Sequence, residues 1–144
     1  MLVSQILKEK ATQGVLTVTK DTTVADAAAL LSKEKVGAVI VSEDGVHVQG
    51  IVSERDIVRE LGARGTGCLT APGSALMTEK LIGCEPGDRA ISVLQKMTEG
   101  RFRHMPVMEG DEMVGLVSIG DVVKARLEEL SQQAESLKSM IMGY

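Results

Sequence analysis

The block Gly50-Ile51-Val52-Ser53-Glu54-Arg55-Asp56-Ile57-Val58 returns later in this chain as Gly115-Leu116-Val117-Ser118-Ile119-Gly120-Asp121-Val122-Val123. Five of the nine positions are identical and two more exchange one aliphatic residue for another. Upstream the match continues with a one-residue slip, Val36 to Val41 lying over Phe102 to Val107, and the stretch after Thr22 lies over that after Asp88. A duplication of about 65 residues restricts the fold more than any local pattern, because each half must form the same unit and bury its faces with the other's help.

Each half reads as strand, helix, strand, turn, strand, helix. Val15 to Val18 alternates as a short strand. Thr22 and Thr23 offer N-caps for an Ala-rich helix, with Thr23 and Asp26 spaced as a capping box. Ala38 to Val41 is a continuous apolar run, as in a strand buried on both faces. Asp44-Gly45 is turn chemistry, so Val46 to Val52 is expected to return as a hairpin strand. The second half repeats the order: a strand at Leu81 to Cys84, a helix from Asp88, a strand at Met105 to Met108 and a Gly110-Asp111 turn. The organisation expected is a first repeat with an N-terminal helix over 1–61, a Gly-containing linker over 62–77, a second repeat over 78–125 and a C-terminal helix over 126–144. In that last helix Val123, Leu127, Leu130, Ala134, Leu137 and Ile141 follow a/d spacing, either a seam for self-association or a long helix lying on its own domain.

Bulk properties exclude several functions. The 144 residues carry a net charge of −4 and two aromatics, Phe102 and Tyr144. An acidic chain without stacking platforms is a poor reader of DNA or RNA, so no nucleic-acid partner is expected. No apolar run approaches membrane-spanning length, and the start Met1 to Gln5 has no signal-peptide character, so no membrane partner and a cytoplasmic location are expected. Cys68 and Cys84 form no disulfide framework, and with His47 and His104 they form no metal-ligand spacing.

The repeated Gly-x-x-Ser-x-x-Asp has two readings. Ser53 with Asp56, and Ser118 with Asp121, fit capping boxes. A helix start also presents free N–H groups and a positive dipole end, where a Ser hydroxyl can meet a phosphate and an Asp can accept from both hydroxyls of a ribose. Six of the seven arginines lie between Arg55 and Arg103. Arg103 and His104 precede a buried strand and are candidates for phosphate contact; Arg55 stands at a helix start, where pairing with an acid on its own helix is the alternative. An adenine would be held between aliphatics, with Met105, Pro106, Val39 and Ile40 as walls, or these four are core. Pro106, lacking a ladder donor, should sit where something other than a neighbouring strand lies alongside.

These residues resemble a known family. The two Gly-x-x-Ser-x-x-Asp blocks and Arg103-His104-Met105-Pro106-Val107 look like a tandem cystathionine-β-synthase (CBS) domain pair, a stand-alone Bateman module, over nearly all of Val15 to Val123. The resemblance implies an α/β (α+β) fold of two βαββα repeats about a pseudo-twofold axis. It implies an adenosyl ligand such as AMP, ADP, ATP, NAD or S-adenosylmethionine rather than a required cofactor, and often a homodimer. Carried onto this chain, Asp56 and Asp121 would hold ribose, Ser53 and Ser118 phosphate, and Arg103 and His104 would meet phosphate. The halves differ, with Gly37-Ala38 and Ile40 where the second has Arg103-His104 and Pro106, so two binding clefts could not be equivalent. The expected function is a non-catalytic regulatory module acting on an effector in another chain; the alternative is a constitutive homodimerisation module. An enzyme would have only His104 and Ser118 to offer as a catalytic pair.

Overall fold

The computed structural model describes residues 1–10 and 14–143. The architecture is mixed α/β, with a long C-terminal helix. It divides into two compact units, one built around each repeat.

The first-repeat unit comprises residues 14–82 and 110–114. Strand β1 (Thr17–Val18) pairs parallel with β2 (Ala38–Val41), which pairs antiparallel with β3 (Gly50–Ser53). Helix α2 (Val24–Glu34) precedes β2, and α3 (Glu54–Arg64) follows β3 without a break. All four β2 residues are buried, as their apolar run requires. Val18, Val24, Leu31, Val39, Val41, Val52, Ile57 and Leu76 form the core. Thr23 Oγ1 accepts from Asp26 N at 3.1 Å, whereas the reciprocal bond of a capping box is not made. The hairpin strand begins at Gly50 rather than Val46. The cause is Asp44, whose Oδ1 accepts from the N–H groups of both Val46 and His47 at 2.8 Å and so withdraws them from the ladder.

The second-repeat unit comprises the N-terminal segment, residues 83–109 and residues from 115 onward. Helix α4 (Ala90–Gly100) leads to β4 (His104–Glu109), which pairs with β5 (Glu112–Ser118); α5 (Ile119–Met142) follows directly. Its core includes Val3, Ile6, Val93, Met97, Met105, Val107, Val117 and Val122. The duplication reaches the backbone: α2 and α4 both end on a left-handed non-glycine residue, Lys35 and Arg101, each donating its N–H back to the preceding turn.

The strand expected at Leu81 to Cys84 is reduced to a single parallel bridge between Cys84 and Val107. In the first repeat Ile40 N donates to Leu16 O at 3.0 Å. The equivalent rung would need an N–H on Pro106, which has none. The ladder therefore stops at Cys84, and Pro106 contributes only its carbonyl, accepting from Cys84 N. Pro106 thus lies within β4, which pairs with β5, and beside an irregular segment on the Cys84 side.

Two boundaries differ from expectation. The N-terminal helix α1 (Val3–Glu9) follows the chain into the first repeat but packs with the second, where Leu2 bridges Arg89 and Ala90 N donates to Met1 O. Residues 62–77 are not a free linker. They hold the end of α3 and two 3₁₀ turns, Gly65–Thr70 and Gly73–Ala75, and Pro72 bridges Thr23 while Val24 N donates to Ala71 O. The pairings of Ala71-Pro72 with the first repeat reproduce those of Met1-Leu2 with the second. Each unit is therefore completed by the segment that precedes the other repeat, because both helix entrances, Thr22-Thr23 and Asp88-Arg89, carry backbone groups that need partners.

Helix α5 runs far beyond its unit. Val122 and Ala125 face the core, whereas Leu127, Leu130, Leu137 and Ile141 are exposed. The docking face and the a/d stripe are thus different faces of one helix. Among the described residues, no helix is long and apolar enough to cross a membrane.

Candidate functional site

Both Gly-x-x-Ser-x-x-Asp blocks fold as strand end, N-cap and first helical turn. Ser53 and Ser118 adopt extended backbone and cap α3 and α5. Each Asp returns a bond to its Ser: Ser53 N donates to Asp56 Oδ2 at 2.8 Å and Ser118 N to Asp121 Oδ2 at 2.9 Å. The capping boxes are real at both helix starts. The repeated glycine has a packing reason. A Cβ on Gly50 would lie 2.7 Å from Met77 Sδ and 3.0 Å from Thr78 O, and one on Gly115 would lie 2.7 Å from the Leu7 side chain. The motif's Gly admits the exchanged segment; its Ser and Asp shape the helix start.

The two acids stand differently. Asp56 is buried, and both of its oxygens are engaged: Oδ2 by Ser53 N and by Ser53 Oγ at 2.9 Å, Oδ1 by Arg59 at 2.8 Å. Asp121 receives Ser118 N and the Lys10 ammonium, the latter at 2.9 Å, on a single oxygen, Oδ2. Burial pulls the Asp121 carboxyl upward, but the Ser118 N–H and Lys10 outweigh it and hold the group below its usual 3.8. Lys10 also donates to Leu116 O at 2.7 Å. Asp121 lines a cleft of about 300 Å³ together with Ile6, Glu9, Lys10, Lys124 and Glu128.

The other expected residues divide. Ile119 N donates to Arg103 O at 2.8 Å, which fixes the start of β4 against the start of α5. Arg103, His104, Ser118 and Asp121 therefore share one unit, Arg103 exposed and His104 half-buried. The first repeat repeats this stitch through Glu54 N and Gly37 O at 2.9 Å, without an Arg or His to present. Arg55 is exposed beside Ser53, and Arg59 rather than Arg55 pairs with the acid of its helix. Val39 and Met105 belong to the cores of their units, and Ile40 and Pro106 are buried as well; all four pack as core residues. A groove of about 530 Å³ beside α2 and α3 is lined by Leu31, Lys35, Gly37, Glu54, Ile57 and Val58, none of them an expected site residue. Both cysteines are buried, and burial raises the Cys84 thiol to about 11, so it stays protonated at neutral pH. Among the described residues no group of three or more His, Cys, Asp or Glu could hold a metal ion.

Lys10 is the residue that sequence reasoning missed. It belongs to no motif, and it reaches Asp121 only because α1 packs with the second repeat.

The CBS domain family matches this chain twice, over residues 3–63 and 74–128. The chain belongs to the CBS domain family. The mitochondrial CBS domain-containing protein CBSX3 of Arabidopsis thaliana is 35% identical over 98% of this chain and 72% of its own length. Five further Arabidopsis CBS domain-containing proteins are far longer, and the chain spans 24% of each. Among solved structures, a CBS-domain containing protein of Agrobacterium tumefaciens is 38% identical with a TM-score of 0.82, covering 88% of this chain and 99% of that one. A CBS domain protein of Pyrobaculum aerophilum, solved in complex with AMP, is 26% identical with a TM-score of 0.77, covering 92% of this chain and 99% of that one. The second CBS match begins at Ser74, inside the segment that packs on the first repeat.

Proposed function

We propose that this CBS domain pair is a cytoplasmic, non-catalytic regulatory module that binds an adenine nucleotide (AMP, ATP or NAD) and passes the signal to an effector protein. Asp56 and Asp121 accept from ribose hydroxyls, Ser53 and Ser118 with the open helix N-termini meet phosphate, and Arg103 and His104 add donors at the second repeat. The observation that carries this reading is the Asp121 carboxylate. Ser118 N and Lys10 hold it ionised through Oδ2, it borders a cleft, and its Oδ1 has no partner among the described residues. A diol donating into that oxygen leaves the capping box intact. The AMP complex of the Pyrobaculum relative supports an adenosyl ligand. Binding energy would act by favouring one state of the module over another.

Thermal unfolding against adenosine, AMP, ATP, NAD and S-adenosylmethionine tests the reading. A true ligand at a hundredfold excess over its Kd should add about 2.7 kcal/mol of stability; no shift with any of them overturns it.

A second reading is favoured by the uncovered stripe on α5, where Leu127 is 61%, Leu137 57% and Ile141 77% exposed. There the chain is a homodimerisation module, two copies pairing along the a/d positions. Sedimentation of the wild type against Leu130→Glu/Leu137→Glu distinguishes the two. A dimer dissolved by the variant supports a seam, and a wild type monomeric at high concentration removes it.

A further inference from the structure

Lys10 lies outside every motif, yet it bonds the second repeat's acid from a segment distant in sequence. Its ammonium has three N–H donors. Two are spent, on Asp121 Oδ2 at 2.9 Å and on Leu116 O at 2.7 Å. The third has no partner among the described residues, on a side chain only 26% exposed, in a cleft whose lining also carries Lys124 and the acids Glu9 and Glu128. A cation pinned by two fixed acceptors is preorganised, so a new anionic partner meets it without first ordering a flexible chain. Were Lys10 there only to neutralise Asp121, a partner on the same helix would serve, as Arg59 serves Asp56. Lys10 instead comes from the C-cap of α1 and lines the cleft.

We propose that Lys10 is a specificity-determining residue at the Asp121 cleft: it reads the phosphate of a bound nucleotide and so separates nucleotides from nucleosides. This rests on the adenine-nucleotide reading above and names which part of the ligand the second repeat senses. Asp121 takes the ribose diol on Oδ1, and Lys10 keeps its bond to Oδ2 while turning its spare donor to a phosphate oxygen. A phosphate contact made from α1 also ties the N-terminal helix to occupancy of the cleft.

Calorimetry with AMP and with adenosine tests this, using an Asp56→Asn background to silence the first repeat. Lys10→Met keeps the aliphatic stem and removes the charge. It should weaken AMP about tenfold or more, the value of a charge-assisted bond, and adenosine less than about twofold. Lys10→Arg, which keeps a cation, should retain most of the AMP affinity. Equal loss of AMP and adenosine, or no loss of AMP, overturns the proposal, since a purely structural role would not select for phosphate. If the wild type binds AMP and the background binds neither ligand, the Asp121 cleft is not the site and the proposal falls; if the wild type too binds none of the nucleotides tested above, the sensing reading itself fails. If Asp121→Asn abolishes AMP binding while Lys10→Met leaves it intact, only the role of Lys10 fails. Circular dichroism melts of each variant report whether the fold survives the change.

Discussion

The starts of α3 and α5 come from the same duplicated block and share the same capping box, yet they are differently poised. At α3 the acid is closed on itself: Ser53 and Arg59, both within one turn, use both carboxylate oxygens. At α5 the acid is held from outside by Lys10, and one oxygen has no partner among the described residues. The same Gly, Ser and Asp therefore yield one helix start whose acid is closed within its own helix and one whose acid is bonded by another segment. The difference lies in what each unit receives from elsewhere in the chain. Duplication supplied two copies of a cap; divergence in the surrounding residues, Arg59 against Lys124 and Gly37 against Arg103, left them with different partners.

If that contrast is right, the glycines should separate first. Gly50→Ala drives a methyl toward Thr78 O, a backbone atom held by paired bonds to Ile51, so the strand must shift. The nearest atoms to a methyl on Gly115 belong to the flexible Leu7 side chain. Urea unfolding should show a loss of about 3 kcal/mol for Gly50→Ala and about 1 kcal/mol for Gly115→Ala, the range for overpacking against rigid and yielding neighbours. Equal losses would mean that both exchanged segments dock alike. The acids should separate next. Asp56→Ala strips a buried cap and leaves Arg59 and Ser53 N without their partner, at a cost of about 2 kcal/mol; Asp121→Ala, at a partly buried acid shared with Lys10, should cost about 1 kcal/mol. For nucleotide affinity the order should invert, Asp121→Ala losing more than Asp56→Ala in calorimetry. A parallel order in both assays would break the division of labour.

Much of this was legible in the sequence, and the exceptions share a cause. The repeat, the buried β2 run and the Ser-Asp helix starts are local patterns, and local chemistry enforces them. The late start of β3 was missed because Asp44 outcompetes the ladder for two N–H groups, a choice between two satisfactory partners that no periodicity encodes. The missing strand at Leu81 to Cys84 was half legible. Pro106 announced an edge, but the rung it deletes is identified only by the Ile40 N to Leu16 O bond of the other repeat. Lys10 was invisible for a different reason. Its segment, Met1 to Lys10, aligns with Ala71 to Lys80 through Ser4/Ser74, Glu9/Glu79 and Lys10/Lys80 alone. That match is too faint to notice until both segments are seen making the same bonds, and without it nothing brings α1 to the second repeat.

The smallest effect sharpens the comparison most directly, because it reads the external clamp on Asp121 itself. Its folded pKa lies below the usual 3.8, so the folded state binds its proton less readily than the unfolded chain does. The resulting stability is fully present above the unfolded value and is lost as pH falls through the folded one. The stability gap between wild type and Asp121→Asn should therefore hold steady from about pH 7 to about pH 5 and narrow below about pH 4. Lys10→Met removes one of the two influences that depress the group, so in that background the gap should be smaller at neutral pH; its narrowing should start at the same pH, set by the unfolded carboxyl, and be complete at a higher pH. Salt should shrink the Lys10 share, since the pair is partly open to solvent. If the Lys10→Met background titrates like the wild type, the Ser118 N–H alone sets the carboxylate, and the two helix starts differ only in shape and not in charge.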